Sequence, residues 1–405
     1  MKKLIFIWLI SYNLNAEVLN LEKSFEKAIE FSKIIPISEI SLQQNYELNV
    51  QNNKNIYPKL YLKGSYLIQE NVAENQKIGQ LNLVHTLYHG GEDKLLNKQN
   101  KLIGNEISLQ KKIEIFNLKN QVINSYFNLL LNYFEKDNLK LLVDLTSKRT
   151  NEISNRVNVG KSRLGELLSA KAQLANAKAQ FINVENIINE QEEKFFNLLG
   201  VSKTNYQIEK KLNFEIVLLK LEEYLNQIDK KIEIQSLFNK MDQVRVEVEL
   251  AKTLNYPKIE LSSNYYFLNK RSSAILKNSN WDIGVNLTFP LFEGGSTDSK
   301  ISEVLIKNNK NQLLLEDKKL FIKNEIIAKF EAVKRTILQK DFLENALNLS
   351  FKSYREAEKD YRLGLISNLD LISSLNLYID NKRNFEKNNI NNLLNFELLN
   401  QFFLE

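Results

Sequence analysis

The chain is built on an internal duplication. Tyr57-Pro58-Lys59-Leu60 returns as Tyr256-Pro257-Lys258-Ile259, Leu87-Tyr88-His89-Gly90-Gly91 returns as Leu291-Phe292-Glu293-Gly294-Gly295, and Val159-Gly160 returns as Leu363-Gly364. Both glycine landmarks recur after 204 residues and the proline after 199, so the second copy holds five extra residues between its proline and its double glycine. A loop is expected to absorb them. Whatever one copy folds into, the chain must make twice.

Within each copy the hydrophobic period switches. Leu60, Leu62, Tyr66 and Ile68 alternate with Tyr61, Lys63, Ser65 and Leu67, and Leu81, Leu83, His85 and Leu87 alternate with Asn82, Val84, Thr86 and Tyr88. In the second copy Ile259, Leu261, Tyr265 and Phe267 oppose Glu260, Ser262, Asn264 and Tyr266. Trp281, Ile283, Val285, Leu287 and Phe289 then oppose Asp282, Gly284, Asn286 and Thr288. Period two over about ten residues, with aromatics near the ends, is the pattern of a barrel strand with lipid on one side and water on the other. Trp281, Ile283, Val285, Leu287 and Phe289 are the expected lipid-facing set.

After each hairpin pattern the period lengthens. Four prolines punctuate the whole chain and none lies between Pro58 and Pro257, as long helices require, because an interior proline removes a backbone hydrogen bond and clashes with the preceding turn. Residues 92–158 carry an apolar stripe of Ile113, Phe116, Ile123, Phe127, Leu130, Phe134, Leu141 and Leu145. As one helix they would span about 100 Å. The second copy matches over 296–362, with Ile322, Ile326, Phe330, Val333 and Ile337. Each long helix ends at a glycine, Gly160 or Gly364, and a second helix returns, over 166–199 and 368–403. Ser367-Asn368-Leu369-Asp370 reads as a capping box for the latter. Ala170, Ala172, Ala175, Ala177 and Ala179 let helices approach closely near the first turn.

Composition excludes several classes of function. Without cysteine there is no disulfide scaffold, thiolate metal site or thiol nucleophile. A charged fraction of 26% is too polar for a bundle of membrane-spanning helices. The net charge of +6 comes from lysines dispersed among glutamates, a solvated surface and not a nucleic-acid footprint. His85 and His89 stand four apart at a strand end, where that spacing does not converge on a metal as it would on a helix. No Ser/His/Asp set is present. The paired glycines lack the Gly-Lys-Ser/Thr ending of a phosphate loop. No catalytic, cofactor or metal site is expected, and the chain reads as a non-enzyme.

Lys2 and Lys3 precede an apolar run from Leu4 to Ile10 and a polar stretch ending at Ala16, the order of a secretory signal peptide cleaved after Ala16. Glu17 follows instead of a lipidated cysteine. The expected organisation is a signal peptide over 1–16, a first repeat over 17–200, a connector over 201–218 and a second repeat over 219–405. The first repeat holds N-terminal helices, a hairpin at about 58–89, a long helix at about 92–158, a tip turn and a return helix. The second holds a helix, a hairpin at about 257–290, a long helix at about 296–362, a tip turn and a return helix. Four strands cannot close a membrane barrel, which takes about eight, so the chain must oligomerise.

The prolines opening each hairpin, the segment Phe289-Pro290-Leu291-Phe292-Glu293-Gly294-Gly295 and the segment Tyr361-Arg362-Leu363-Gly364-Leu365-Ile366-Ser367-Asn368-Leu369-Asp370 resemble the TolC-like outer-membrane efflux protein family. The first copy departs from that pattern, with Thr86 where Pro290 would align. The resemblance covers essentially all of the mature chain. It implies a mainly α fold with a small β part, a long antiparallel α-helical barrel continued by an outer-membrane β-barrel, with four strands per protomer and twelve in a homotrimer. It implies a location in the cell outer membrane with a periplasmic helical tunnel. It also implies partners: a periplasmic adaptor (membrane fusion protein) and an inner-membrane RND or ABC transporter, docked through the helical tips at Gly160, Gly364, Leu365 and Ser367. In such proteins acidic side chains ring the closed periplasmic entrance. Asp370 matches one such position, and Ser373 stands where a second carboxylate can occur. Tyr361 matches a tyrosine that helps hold the closed state, and its acidic partner falls at Asn151, with Glu152 adjacent. The implied function is the passive exit duct of a tripartite efflux pump for drugs, small molecules or metal ions. The alternatives are the outer-membrane component of type I protein secretion and, from another class, an exported coiled-coil structural or adhesin-like protein.

Overall fold

The structure, a computed structural model, describes residues 17–68, 76–210, 216–270 and 280–402. The expected signal peptide and the end of the last predicted helix at Phe403 lie outside the described residues. The chain forms β1 (Glu17–Leu19), α1 (Leu21–Phe31), α2 (Ile34–Lys54), β2 (Lys59–Leu67), β3 (Gln76–His89), α3 (Glu92–Asn158), α4 (Leu164–Leu199) and β4 (Tyr206–Ile208). It continues with α5 (Leu221–Leu225), α6 (Ile232–Thr253), β5 (Lys258–Lys270), β6 (Trp281–Thr288), α7 (Ser296–Leu363) and α8 (Asn368–Gln401). The fold is thus mainly α with a small sheet component; α3 covers 92–158, α7 ends one residue beyond the expected 362, and α4 starts two residues before the expected 166. Pro36 is tolerated in the first turn of α2, where its missing N–H has no intrahelical partner to lose.

The five extra residues of the second copy have a definite place. From the start of β2 to the end of β3 and from the start of β5 to the end of β6 the chain covers equal lengths, residues 59–89 and 258–288. The difference lies after the sheet: Gly90-Gly91 alone joins β3 to α3, whereas Phe289 through Gly295 join β6 to α7. All four of these junction glycines have positive φ. At Gly90 (φ 70°) a side chain would also meet the Cβ atoms of Tyr256 and Thr253 at 3.0 and 3.1 Å, so the tight junction needs glycine on both counts.

Two compact units divide the described chain, and each draws on both repeats. The first comprises the described parts of Met1–Ile34, Glu114–Ile228 and Ile322–Glu405; the second comprises Ile35–Ile113 and Asp229–Phe321. The core of the first is the middle of the α3 stripe. Ile123, Phe127 and Leu130 are fully buried with Val122, Tyr126 and Leu129, against Val184, Ile188, Phe195 and Phe196 of α4 and Ile390 and Leu398 of α8. Each such side chain contributes roughly 1.5–3 kcal/mol of transfer free energy. The Tyr126 hydroxyl donates to the Glu209 carbonyl at 3.0 Å. In the parallel stripe of α7, Ile322, Ile326 and Val333 are buried but Ile337 is 40% exposed. Of the five alanines on α4 only Ala170 and Ala177 are buried within the chain. Sequence periodicity did not show β1 and β4, which pair in parallel from Glu17↔Tyr206 to Leu19↔Ile208 and tie the residue after Ala16 to the connector.

The second unit holds one antiparallel sheet in the order β2-β3-β5-β6. Its register aligns Leu60, Leu83, Ser263 and Ile283 in one row and Tyr61, Asn82, Asn264 and Asp282 in the next. Period-two side-chain alternation then gives the sheet one apolar and one polar face. Beside it, Asn45 of α2 donates to the Asn100 carbonyl at 3.0 Å, and Glu106 of α3 accepts from Ser236 and Asn239 of α6 at 2.5 and 3.0 Å.

Candidate functional site

Two regions carry the residues singled out above. The first lies at the turns of the long helical hairpins. Both turns are built alike: Gly160 (φ 71°) and Gly364 (φ 78°) are left-handed, Lys161 N donates to Arg156 O at 2.7 Å and Leu365 N to Asp360 O at 2.9 Å. Gly160 N and Gly364 N close the inner bonds to Val157 O and Tyr361 O, both at 3.0 Å. These are paired Schellman motifs, and glycine is there because L side chains resist positive φ. Ser367 and Asp370 form the expected capping box, Asp370 N donating to Ser367 Oγ at 3.3 Å and Ser367 N donating to Asp370 Oδ2 at 3.0 Å. The hydroxyl of Ser367, then its backbone N–H, hold the Asp370 carboxyl below the ordinary aspartate value. The α4 turn solves the same problem differently, with Ser162 Oγ hydrogen-bonded to Glu166, the residue 204 before Asp370.

Tyr361 is buried, but its partner is neither Asn151 nor a carboxylate. Its ring packs under the Arg149 guanidinium, 3.2 Å from ring centre to Cζ, with Arg156 at 4.7 Å. Arg149 also donates from Nε to Asn368 Oδ1 at 3.1 Å and from Nη1 to Glu152 Oε2 at 3.0 Å. Glu152 therefore reaches Tyr361 through Arg149, while Asn151 is exposed. Burial lowers the Arg149 pKa, and the guanidinium stays charged. One arginine of α3 thus ties the end of α7 and the first residue of α8 together. Sequence reading missed it, since a contact between residues 219 apart leaves no local pattern; the only local sign is Glu152 three residues on. Beside it lies a small cavity lined by Tyr354, Glu358 and Leu371 among others. Arg149 Nη2 and Gln173 Oε1 are buried there with no hydrogen-bond partner among the described residues.

The second region is the sheet. Trp281, Ile283, Val285 and Leu287 stand on one face, between 61% and 67% exposed, and Phe289 just past the strand is exposed too. Leu60 and Leu62 join them across the sheet. On the opposite face a hydrogen-bonded row crosses three strands. Asn82 Nδ2 donates to Asn264 Oδ1 and Asn264 Nδ2 to Asp282 Oδ1, both at 2.8 Å, and the Tyr266 hydroxyl donates to Asp282 Oδ2 at 2.6 Å. Among the described residues strands β2 and β6 each have one neighbour, leaving two free edges. A register shift between Thr86 and Tyr88 sets His85 opposite Leu261 and His89 opposite Lys258, on opposite faces. His89 lies 3.6 and 3.4 Å from Glu92 and Asp93, at the start of α3. Among the described residues no group of three His, Cys, Asp or Glu converges as metal ligands, and no helix is long and apolar enough to cross a membrane.

No protein-family model matches the sequence, and no curated protein matches it. Solved structures do match the fold. The outer membrane protein VceC from Vibrio cholerae aligns with a TM-score of 0.79 at 16% identity, over 94% of this chain and 95% of that one. The CmeC outer membrane channel of Campylobacter jejuni aligns at 0.78 and 18% identity, over 95% and 85%. The MtrE outer membrane channel of Neisseria gonorrhoeae, solved in its open state, aligns at 0.76 and 14% identity, over 94% and 88%. The chain therefore has the fold of the TolC-like outer-membrane channels.

Proposed function

We propose that this chain is the outer-membrane channel of a tripartite efflux pump, a passive exit duct for small molecules or metal ions with no catalytic role. One observation carries the reading: a four-stranded sheet with an exposed apolar face, a hydrogen-bonded polar face and two free edges. Such a sheet has no stable place in water or in lipid by itself, since an unpaired edge leaves N–H and C=O groups unsatisfied in hydrocarbon. Three copies would supply twelve strands, pairing β6 of one copy with β2 of the next. The apolar face would then meet lipid through Trp281, Ile283, Val285, Leu287 and Phe289, and the Asn82–Asn264–Asp282 row would line water. A second feature supports the homotrimer. Ile306, Leu313 and Leu320 recur every seven residues on α7 and are exposed, the seam of a coiled coil whose partner is another copy.

In this reading the helices wall a periplasmic tunnel, and the turns at Gly160, Gly364, Leu365 and Ser367 dock a periplasmic adaptor, which links the duct to an inner-membrane RND or ABC transporter. Tyr361, Glu152 and Asp370 belong to the closed entrance, with Arg149 as the group that joins Tyr361 and Glu152 to Asn368 at the start of α8. The test is reconstitution: protein extracted from outer membranes as a heat-modifiable trimer should give discrete conductance steps in planar bilayers. A soluble, non-conducting periplasmic rod would contradict the proposal and return the chain to the coiled-coil structural class.

A further inference from the structure

The two helical turns are copies in backbone but not in charge. Residues 148–171 carry six basic side chains against Glu152 and Glu166 alone, while the matching window 352–375 carries four of each sign. Pairing widens the contrast. On the second turn Arg362 and Arg355 bind Glu358 at 2.9 and 3.6 Å, and Lys359 binds Glu356 at 2.6 Å. On the first, Arg149 takes Glu152, and Lys148, Lys161, Arg163 and Lys171 stand exposed with no carboxylate within ion-pair distance among the described residues. Large aliphatic side chains lie among those open cations: Val159 is 66% exposed, Leu164 62% and Leu168 59%.

We infer that the α3–α4 turn meets an acidic protein partner, whose contact segment sets carboxylates among aliphatic side chains. This rests on the reading of the turns as docking ends and adds the chemistry of what docks. Covering Val159, Leu164 and Leu168 supplies non-directional burial free energy, and carboxylates placed over Lys161 and Arg163 relieve a like-charge cluster while setting register and rejecting basic surfaces. An anionic lipid surface is the less fitting occupant. Leu363, Leu365 and Leu369 make the second turn equally apolar, between 68% and 74% exposed, yet three of its four cations are already paired in place. A membrane reached by both turns would call for open cations on both, whereas a protein reads each turn separately.

The test uses the full-length protein in its own envelope, with a photoreactive benzoylphenylalanine in place of Leu164 or, separately, of Leu365. The segment captured at Leu164 should be net acidic. Lys161→Glu with Arg163→Glu should cut that capture by about tenfold and leave capture at Leu365 within about twofold. Reversing the carboxylates of the captured segment to lysine should restore it. Lys161→Gln with Arg163→Gln, which adds no repulsion, should give an intermediate yield. A neutral or basic segment at Leu164, or capture indifferent to both double variants, overturns the acidic partner while leaving docking intact. Binding of the purified protein to phosphatidylglycerol-containing vesicles that is lost in the Lys161→Glu and Arg163→Glu variant also overturns it, in favour of lipid. Capture of no periplasmic protein from either turn overturns the docking reading itself.

Discussion

The Arg149 guanidinium carbon lies 3.2 Å from the centre of the Tyr361 ring, so the end of α7 is held by a cation on the face of an aromatic and not by a phenol–carboxylate bond. The same arginine reaches Glu152 and Asn368, so it bonds α3 to both helices of the second hairpin. Arg149→Lys keeps the charge but loses the planar fork, leaving Asn368 without its donor. The expected loss is about 2 kcal/mol of local stability. Hydrogen exchange over residues 361–371 should quicken and channel conductance should rise, with trimer stability unchanged. Unchanged exchange and conductance would show that Arg149 does not hold the turn.

Gly364 has φ 78° and open space where a Cβ would stand, so substitution there perturbs the backbone alone. Gly364→Val should cost on the order of 1–2 kcal/mol at the turn, more than Gly364→Ala. Export should fall while trimers still assemble, as drug susceptibility and heat-modifiability on gels report. Normal export would make the turn purely structural.

Asp370 separates two roles, a helix cap and a member of an acidic ring at the entrance. Asp370→Asn preserves size and most capping ability but removes the charge. Cation selectivity in planar bilayers should drop, with little effect on trimer stability. Because the folded pKa is lowered, the carboxylate's contribution to stability is present above the unfolded aspartate value and is lost as pH falls through the lower folded one. Wild-type selectivity should fall in acid as the carboxylates are protonated, and the Asp370→Asn variant should not show that fall. Equal selectivity in wild type and variant would leave Asp370 as a cap alone.

Much of this architecture is legible in the sequence alone. The long helices could be bounded because glycine and proline act locally and were scarce: α3 spans the predicted 92–158, and α7 runs one residue beyond 296–362. Strand faces were equally readable, since a one-residue slip would move Val285 and Leu287 to the polar side. What escaped depended on distant residues. Three-residue strands such as β1 and β4 are too short for a period to show. The Arg149–Tyr361 contact joins separate repeats, and no spacing within either repeat announces it. Ile337 fits the helical period yet stays exposed, because period locates an apolar face without saying whether this chain or another copy covers it.

Val285 and Leu287 lie mid-strand on the exposed apolar face. Replacing either with arginine should cost roughly 2–4 kcal/mol near a bilayer midplane, whereas Asn286→Arg, on the polar face between them, should cost far less. Outer-membrane yield and folding titrations in lipid vesicles measure the difference. Equal tolerance at 285, 286 and 287 would contradict the assignment of faces.

The central claim is that the sheet closes only against further copies, edge strand to edge strand. The sequence has no cysteine, so introduced pairs report without background. One cysteine at Leu62 in β2 is combined with single cysteines stepped from Asp282 to Thr288 in β6, and the protein is oxidised in outer membranes. Disulfides form only where Cα atoms come within about 7 Å. The account expects one or two adjacent positions of β6 to give a covalent ladder that ends at a closed trimer. Monomers at every position, or a ladder that runs past three copies, would contradict it.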